Sequence, residues 1–202
     1  MDECRKVIVH FILSDENAFR SVGSEGFRQL GRLLQPQSIV PSRRTIAKDC
    51  YKLYLTEKLK LNTFFKTNCT SVALTTDHWT SIQKLSYLVI TAFFIDNEGN
   101  YKKRIICFTL ILDDKEDSFE RKVQEVLREW GIRNVSRVAY DGTFCTRGSV
   151  LNTYWSSLSP RMAEALICTQ SWLQNMSFGV RTSGVSRSGT AGEALPAAGP
   201  SI

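Results

Sequence analysis

An α/β fold is predicted by three patterns in the 202 residues. Alternation over VALTTD at 72–77 reads as a strand, and Tyr87 to Ile95 is an apolar run rich in β-branched and aromatic residues that ends in a NEGN turn. Phe119, Val123, Val126, Leu127 and Trp130 then recur at helical spacing, ahead of a second alternating run, NVSRVAYD. The resulting order is β-β-β-α-β, in which a helical crossover after the third strand brings the fourth back parallel beside the first.

Composition sets the outer limits. Hydrophobic residues make up 43% and charged residues 23% of the chain, so it is not disordered by composition. The net charge of +6 favours an anionic partner, although Lys and Arg form no dense tract. Six scattered cysteines, Cys4, Cys50, Cys69, Cys107, Cys145 and Cys168, include no C-x-x-C and no paired histidine spacing. That pattern excludes a zinc finger and fits free thiols of a reducing compartment. The apolar run Val7 to Leu13 is interrupted by His10 and is too short for a membrane span. Met-Asp-Glu-Cys lacks the basic flank of a signal peptide, so a cytoplasmic or nuclear chain is expected and no membrane partner.

In chain order, residues 4–34 give a helical pattern with Val7, Phe11, Phe19, Phe27, Leu30 and Leu33 or Leu34 on one side, and Gly23 and Gly26 as the break between two helices. Pro41 stops any preceding helix, and Ser42 caps the next by accepting from a free backbone amide. From Arg43 to about Phe65, Ile46, Cys50, Leu53, Tyr54, Leu61 and Phe64 form a continuous apolar stripe, with charges of mixed sign opposite. This pattern predicts a packed amphipathic helix rather than one that reads DNA. The first strand ends at Asp77, the second runs to Ile95 and the third from Lys103 to about Leu112, making an antiparallel meander. Asp117 or Ser118 caps the following helix and Gly131 stops it. Ser159 as N-cap and Pro160 at the first helical position start a last helix to about Leu173. From Asn175 the chain turns to Ser, Gly, Ala and Pro, which predicts a disordered tail.

Two carboxylates carry the chemical expectation. Adjacent parallel first and fourth strands bring Asp77 and Asp141 to neighbouring carboxyl ends, where hard oxygen ligands can share Mg²⁺ and activate water against a phosphodiester. An aspartate at a strand end is more often an ordinary turn or cap residue.

Four segments resemble the hAT transposase superfamily, most closely its plant sleeper-like, BED-finger-containing type. They are VPSRRTIAKDCYKLY (Val40 to Tyr54), ALTTDHWTSIQKLSYLVITAFFID (Ala73 to Asp96), YKKRIICF (Tyr101 to Phe108) and LREWGI (Leu127 to Ile132). The T-T-D-x-W-T-S element at Thr75 to Ser81 is the most specific piece, and the resemblance covers about residues 5–135. It implies an RNase H-like fold in which three acids bind two divalent metals for cut-and-paste transposition. Asp77 matches the first acid.

Asp141 fits two registers. From the left, RVAYD is the fourth strand and Asp141 the second acid; from the right, Asp141 stands where the distant third acid, a glutamate, belongs. One carboxylate cannot fill both places. Beyond it, SSLSP at Ser156 to Pro160 and EALICTQSWL at Glu164 to Leu173 resemble the hAT C-terminal dimerisation region, which several hundred residues normally separate from the second acid. The resemblance therefore implies a shortened chain with at most two of three catalytic acids and no BED-type finger. Transposition is not expected of it.

The expected organisation is a helical region at 1–67, an incomplete RNase H-like domain at 68–143, a dimerisation remnant at 144–175 and a disordered tail at 176–202. Leu158, Met162, Ala165, Leu166, Trp172 and Leu173 are the candidate dimerisation residues, with packing on the chain's own sheet ranked ahead of self-pairing because one short helix offers little of the ~1,600 Å² of a stable interface. The resemblance further implies a nuclear protein, non-catalytic, associating with itself or with intact hAT proteins and meeting nucleic acid by electrostatics. No cofactor is expected, zinc included, and Mg²⁺ enters only through the rival reading, a minimal nuclease using Asp77 and Asp141. A second rival is a product without molecular function.

Overall fold

The computed structural model describes residues 3–15, 17–34, 36–37, 39–111, 116–140 and 153–173. Helices α1 (Glu3–Ser14), α2 (Glu25–Leu34) and α3 (Arg43–Thr67) precede strands β1 (Val72–Thr80), β2 (Ser86–Ile95) and β3 (Tyr101–Ile111). Helix α4 (Glu116–Trp130) leads to β4 (Val135–Tyr140), followed by the short α5 (Thr153–Ser156) and by α6 (Pro160–Leu173). The sheet order is β3-β2-β1-β4, antiparallel through the meander and parallel between β1 and β4. The predicted β-β-β-α-β order and crossover are therefore both present.

Local chemistry fixes the boundaries. Ser42 accepts from the Thr45 amide at 3.2 Å, the expected cap of α3. After β2, the Asp96 carboxylate accepts from the amides of Glu98 and Asn100, and Gly99 takes φ +82°, a conformation that favours glycine. At the end of α4, Gly131 has φ +66°, while the Ile132 amide bonds the Leu127 carbonyl and the Gly131 amide bonds that of Arg128. These two bonds form a Schellman stop. The capping of α4 by Asp117 or Ser118 concerns side chains outside the described residues, as does the tail from Asn175.

Three expectations are corrected. The break in the N-terminal helices lies between Ser14 and Glu25, occupied by a 3₁₀ turn at Phe19–Gly23, so Gly26 sits inside α2. The buried side of α1 is Val9, Ile12 and Leu13, whereas Val7 is 62% exposed; Leu30, Leu33 and Leu34 of α2 also face solvent. The first strand does not end at Asp77 but continues to Thr80, because Asp77, His78, Trp79 and Thr80 all pair with β2.

One core joins the N-terminal helices, the sheet and α6. β2 is buried from Tyr87 to Ala92, consecutive residues that point to opposite faces, so the centre of the sheet is covered on both sides. On one face Phe65 of α3 meets Phe94 edge-on at 4.9 Å and Trp130 at 5.8 Å. At the free side of β3, the Ser171 hydroxyl accepts from the Ile105 amide, while the indoles of Trp172 and Trp130 donate to the carbonyls of Ile105 and Ile106. Side chains of α6 and α4 thus satisfy backbone groups that an edge strand leaves open.

Candidate functional site

Asp77 sits two-thirds along β1, half-buried, on the face of Ala73 and Thr75. Val72, Leu74 and Thr76 are buried on the opposite face, where the alternation predicted them. Directly across the sheet, Asp77 pairs with Val89 and Val89 with Phe108, both 1% exposed. Toward β2 and β3 the row through the carboxylate is therefore apolar. His78 points the other way, and its ring meets Phe119 of α4 edge-on at 5.9 Å.

The parallel ladder between β1 and β4 ends on the rung Thr76↔Tyr140. This register lays the carboxyl end of β4 beside the Asp77 segment, as the predicted crossover requires. Asp141 itself lies outside the described residues. Among the described residues no group of three His, Cys, Asp or Glu side chains is arranged to hold a metal ion. The described part of the site supplies one carboxylate, Asp77, and a divalent cation needs several oxygen ligands. No chemical step is derived through such an ion.

The candidate dimerisation residues lie in the chain's own core. Ala165, Leu166 and Trp172 are buried, and Leu158, Met162 and Leu173 are partly buried against the same cluster. In the single chain they pack against its own α3 and β3. Tyr54 of α3 stacks on Trp172 at 5.4 Å and donates to Glu164 at 3.0 Å. Burial, followed by the Glu164 carboxylate, pushes the Tyr54 phenol well above its usual range. Lys58 lies within 5.6 Å of the Tyr54 and Trp130 ring centres and pairs with Glu129 at 2.6 Å. Burial pulls its ammonium down, but Glu129 outweighs that and leaves it raised.

Among the described cysteines all are free, with Cys50, Cys107 and Cys168 buried and Cys4 and Cys69 partly so. Burial pushes Cys50 and Cys107 up to about 12 and Cys168 well above its ordinary value. These are packing thiols, as their apolar settings in the sequence predicted.

Sequence reasoning missed the pair formed by Tyr51 and Arg161. The Arg161 Nε donates to the Tyr51 hydroxyl at 2.7 Å, and its guanidinium stands 4.7 Å from that ring's centre. The 110 residues between them hide the contact from any local pattern.

Comparison with known proteins bears on the same segment. A family model described as the ZBED1 RNase-like domain matches residues 75–152, from the middle of β1 past the end of β4. Zinc finger BED domain-containing protein DAYSLEEPER of Arabidopsis thaliana is 26% identical over 132 residues, covering 65% of this chain and 19% of that protein. The AC transposase of Zea mays is 36% identical over 97 residues, 48% of this chain and 12% of its own length. RICESLEEPER 2 of Oryza sativa is 28% identical over 102 residues, 50% of this chain and 14% of its own. The chain thus spans less than a fifth of the length of these relatives. By its matched RNase-like segment and these relatives, the chain is similar to hAT-type transposases, sleeper-like members included.

Proposed function

We propose that this transposase-derived chain is not a catalyst, and that it works by association with protein and by electrostatic contact with nucleic acid in the nucleus. What supports the first part is the spacing in the sequence: the segment that resembles the hAT C-terminal region, Ser156 to Leu173, follows Asp141 closely, so Asp141 would have to stand for two of the three acids. Phosphodiester cleavage by two metals needs a clamp on both attacking and leaving oxygens, and a chain with at most two of the three acids leaves that clamp incomplete. Association, with itself or with an intact hAT protein, is proposed for the segment 144–175. Its helix α6 already lies against α3 and β3, so a partner gains this surface only by displacing it. The names of the relatives support a nuclear location, and no helix among the described residues is long and apolar enough to cross a membrane.

A second reading, a minimal Mg²⁺-dependent nuclease using Asp77 and Asp141, draws on the rung Thr76↔Tyr140, after which the two positions follow side by side in sequence. Plasmid nicking in Mg²⁺ or Mn²⁺ decides between them. The expected outcome is no nicking above buffer by the wild type or by Asp77→Ala. Wild-type nicking that disappears in Asp77→Ala overturns the non-catalytic reading.

A further inference from the structure

The outward face of α3 differs from the mixed-charge surface its sequence suggests. The helix carries seven cations, Arg43, Arg44, Lys48, Lys52, Lys58, Lys60 and Lys66, and two acids, Asp49 and Glu57. Folding removes both acids from the outer balance. Asp49 is 7% exposed and takes three hydrogen bonds from Arg5 of α1, at 2.6 to 2.9 Å. Glu57 is held by Lys60 at 2.7 Å, and Lys58 turns to Glu129. Arg44, Lys48 and Lys52 remain exposed, with no ion pair among the described residues.

These three recur every four residues, which places them along one ridge about 6 Å apart. Tyr51 falls within the same arc of the helix, at about 100° per residue, and it holds the exposed Arg161 of α6 against its ring. Four cations from two elements therefore share one surface. The only nearby acid on α6, Glu164, accepts from Tyr54.

We propose that this ridge, Arg44, Lys48 and Lys52 flanked by Arg161, binds the phosphate backbone of nucleic acid. The inference rests on the proposed electrostatic contact with nucleic acid and gives it a place. Duplex DNA presents a charge every ~1.7 Å of its axis, so every cation on a ridge of ~6 Å spacing has a phosphate within reach. Arginine and lysine on a helix backbone position a duplex without reading bases, so sequence preference is not expected. Ile46, Cys50 and Tyr54 of α3 are buried in the core, whereas Leu55 and Leu59, 49% and 69% exposed, continue the cationic arc, so the test carries an arm with anionic vesicles.

Fluorescence anisotropy of the full chain with a labelled 30-base-pair duplex tests the assignment. Four phosphate contacts give a log–log salt slope of about −3.6, a loss of affinity of about 150-fold between about 50 and about 200 mM salt. The triple variant Arg44→Gln, Lys48→Gln, Lys52→Gln leaves one contact, a slope of about −0.9 and a loss of roughly threefold. A control triple of equal charge change, Arg121→Gln, Arg128→Gln, Arg133→Gln, removes exposed cations around α4 and is expected to keep the wild-type slope. Matched circular dichroism melts establish that both variants fold.

Wild-type binding that both triples weaken equally, or that the α3 triple leaves unchanged, overturns the ridge while the broader nucleic-acid reading stands. Absence of wild-type binding overturns both. Binding to phosphatidylserine vesicles with none to the duplex overturns both as well.

Discussion

The two edges of the sheet received opposite treatment. At β3 the chain closes the edge on itself: Ser171 and Trp172 of α6 and Trp130 of α4 supply hydrogen-bond partners to Ile105 and Ile106. At β4 no described element lies outside the strand; Ser136, Arg137 and Val138 are exposed, and a groove of about 680 Å³ runs between the strand and α4. Val123, Leu127, Ile132, Val135 and Val138 contribute its apolar lining. The difference shows where the stability of this fold resides. Aromatic stacking and backbone satisfaction concentrate on the closed edge, so damage there reaches the whole core, whereas the open edge can vary at small cost.

Trp172 tests this asymmetry at its strongest point. It is 6% exposed, stacks on Tyr54, meets Trp130 edge-on at 6.0 Å and donates to Ile105. Trp172→Ala is expected to cost about 3–5 kcal/mol, a large part of a domain's total stability, read from urea or thermal unfolding. Trp172→Phe keeps the ring but leaves the Ile105 carbonyl unpaired, for a smaller loss of about 1–3 kcal/mol. A loss below about 1 kcal/mol in Trp172→Ala removes the claim that α6 closes the fold.

Alkaline pH probes the same region by another route. Cys107 lies on β3, Cys168 on α6 and Cys50 on α3, and burial raises all three thiols. In the unfolded chain these thiols ionise near their ordinary value, while in the fold they keep their protons. Above pH 9 the unfolded state therefore binds fewer protons, and stability falls as pH rises. It is fully present below the unfolded value and declines from about pH 9 toward about pH 12, by about 1.4 kcal/mol per pH unit for each thiol. Unfolding midpoints between about pH 8 and about pH 10.5 should drop steeply, and Cys107→Val should flatten that slope by about one thiol's share. A flat profile in the wild type breaks the link between burial and the closed edge.

What the sequence made legible was periodic and local. The meander, the Ser42 cap and the Gly131 stop each depend on residues within a turn or a strand of one another, and the parallel return of β4 follows from the helical crossover in the element order. Boundaries failed where tertiary pairing decided them, as at Thr80, which is a strand residue because Ser86 stands opposite. The buried side of α1 was misread because a 3₁₀ turn offsets α1 from α2, so a single helical phase across 4–34 does not exist. Mixed charge on α3 was likewise a property of the string alone: the partners of Asp49 and Lys58 are Arg5 and Glu129, far away in sequence. For the candidate site, Asp77 and its alternation were readable. The apolar row across Val89 and Phe108 was not, since strand register is a tertiary fact.

The open edge supplies the smallest expected effect and the sharpest contrast. Val138 is 44% exposed on β4 and lines the groove beside α4. Val138→Thr keeps a β-branched shape while removing a methyl group already half in water, so little burial is lost. The expected change in unfolding free energy is within about 0.5 kcal/mol, as for surface positions generally. Because Val138 and Trp172 lie on opposite sides of the sheet and share no partner, the double variant should lose about the sum of the two single losses. A cost for Val138→Thr approaching that of Trp172→Phe means that the groove is filled and that β4 is not an open edge. Near-zero cost with additivity leaves the stability of the fold on the side that α6 closes.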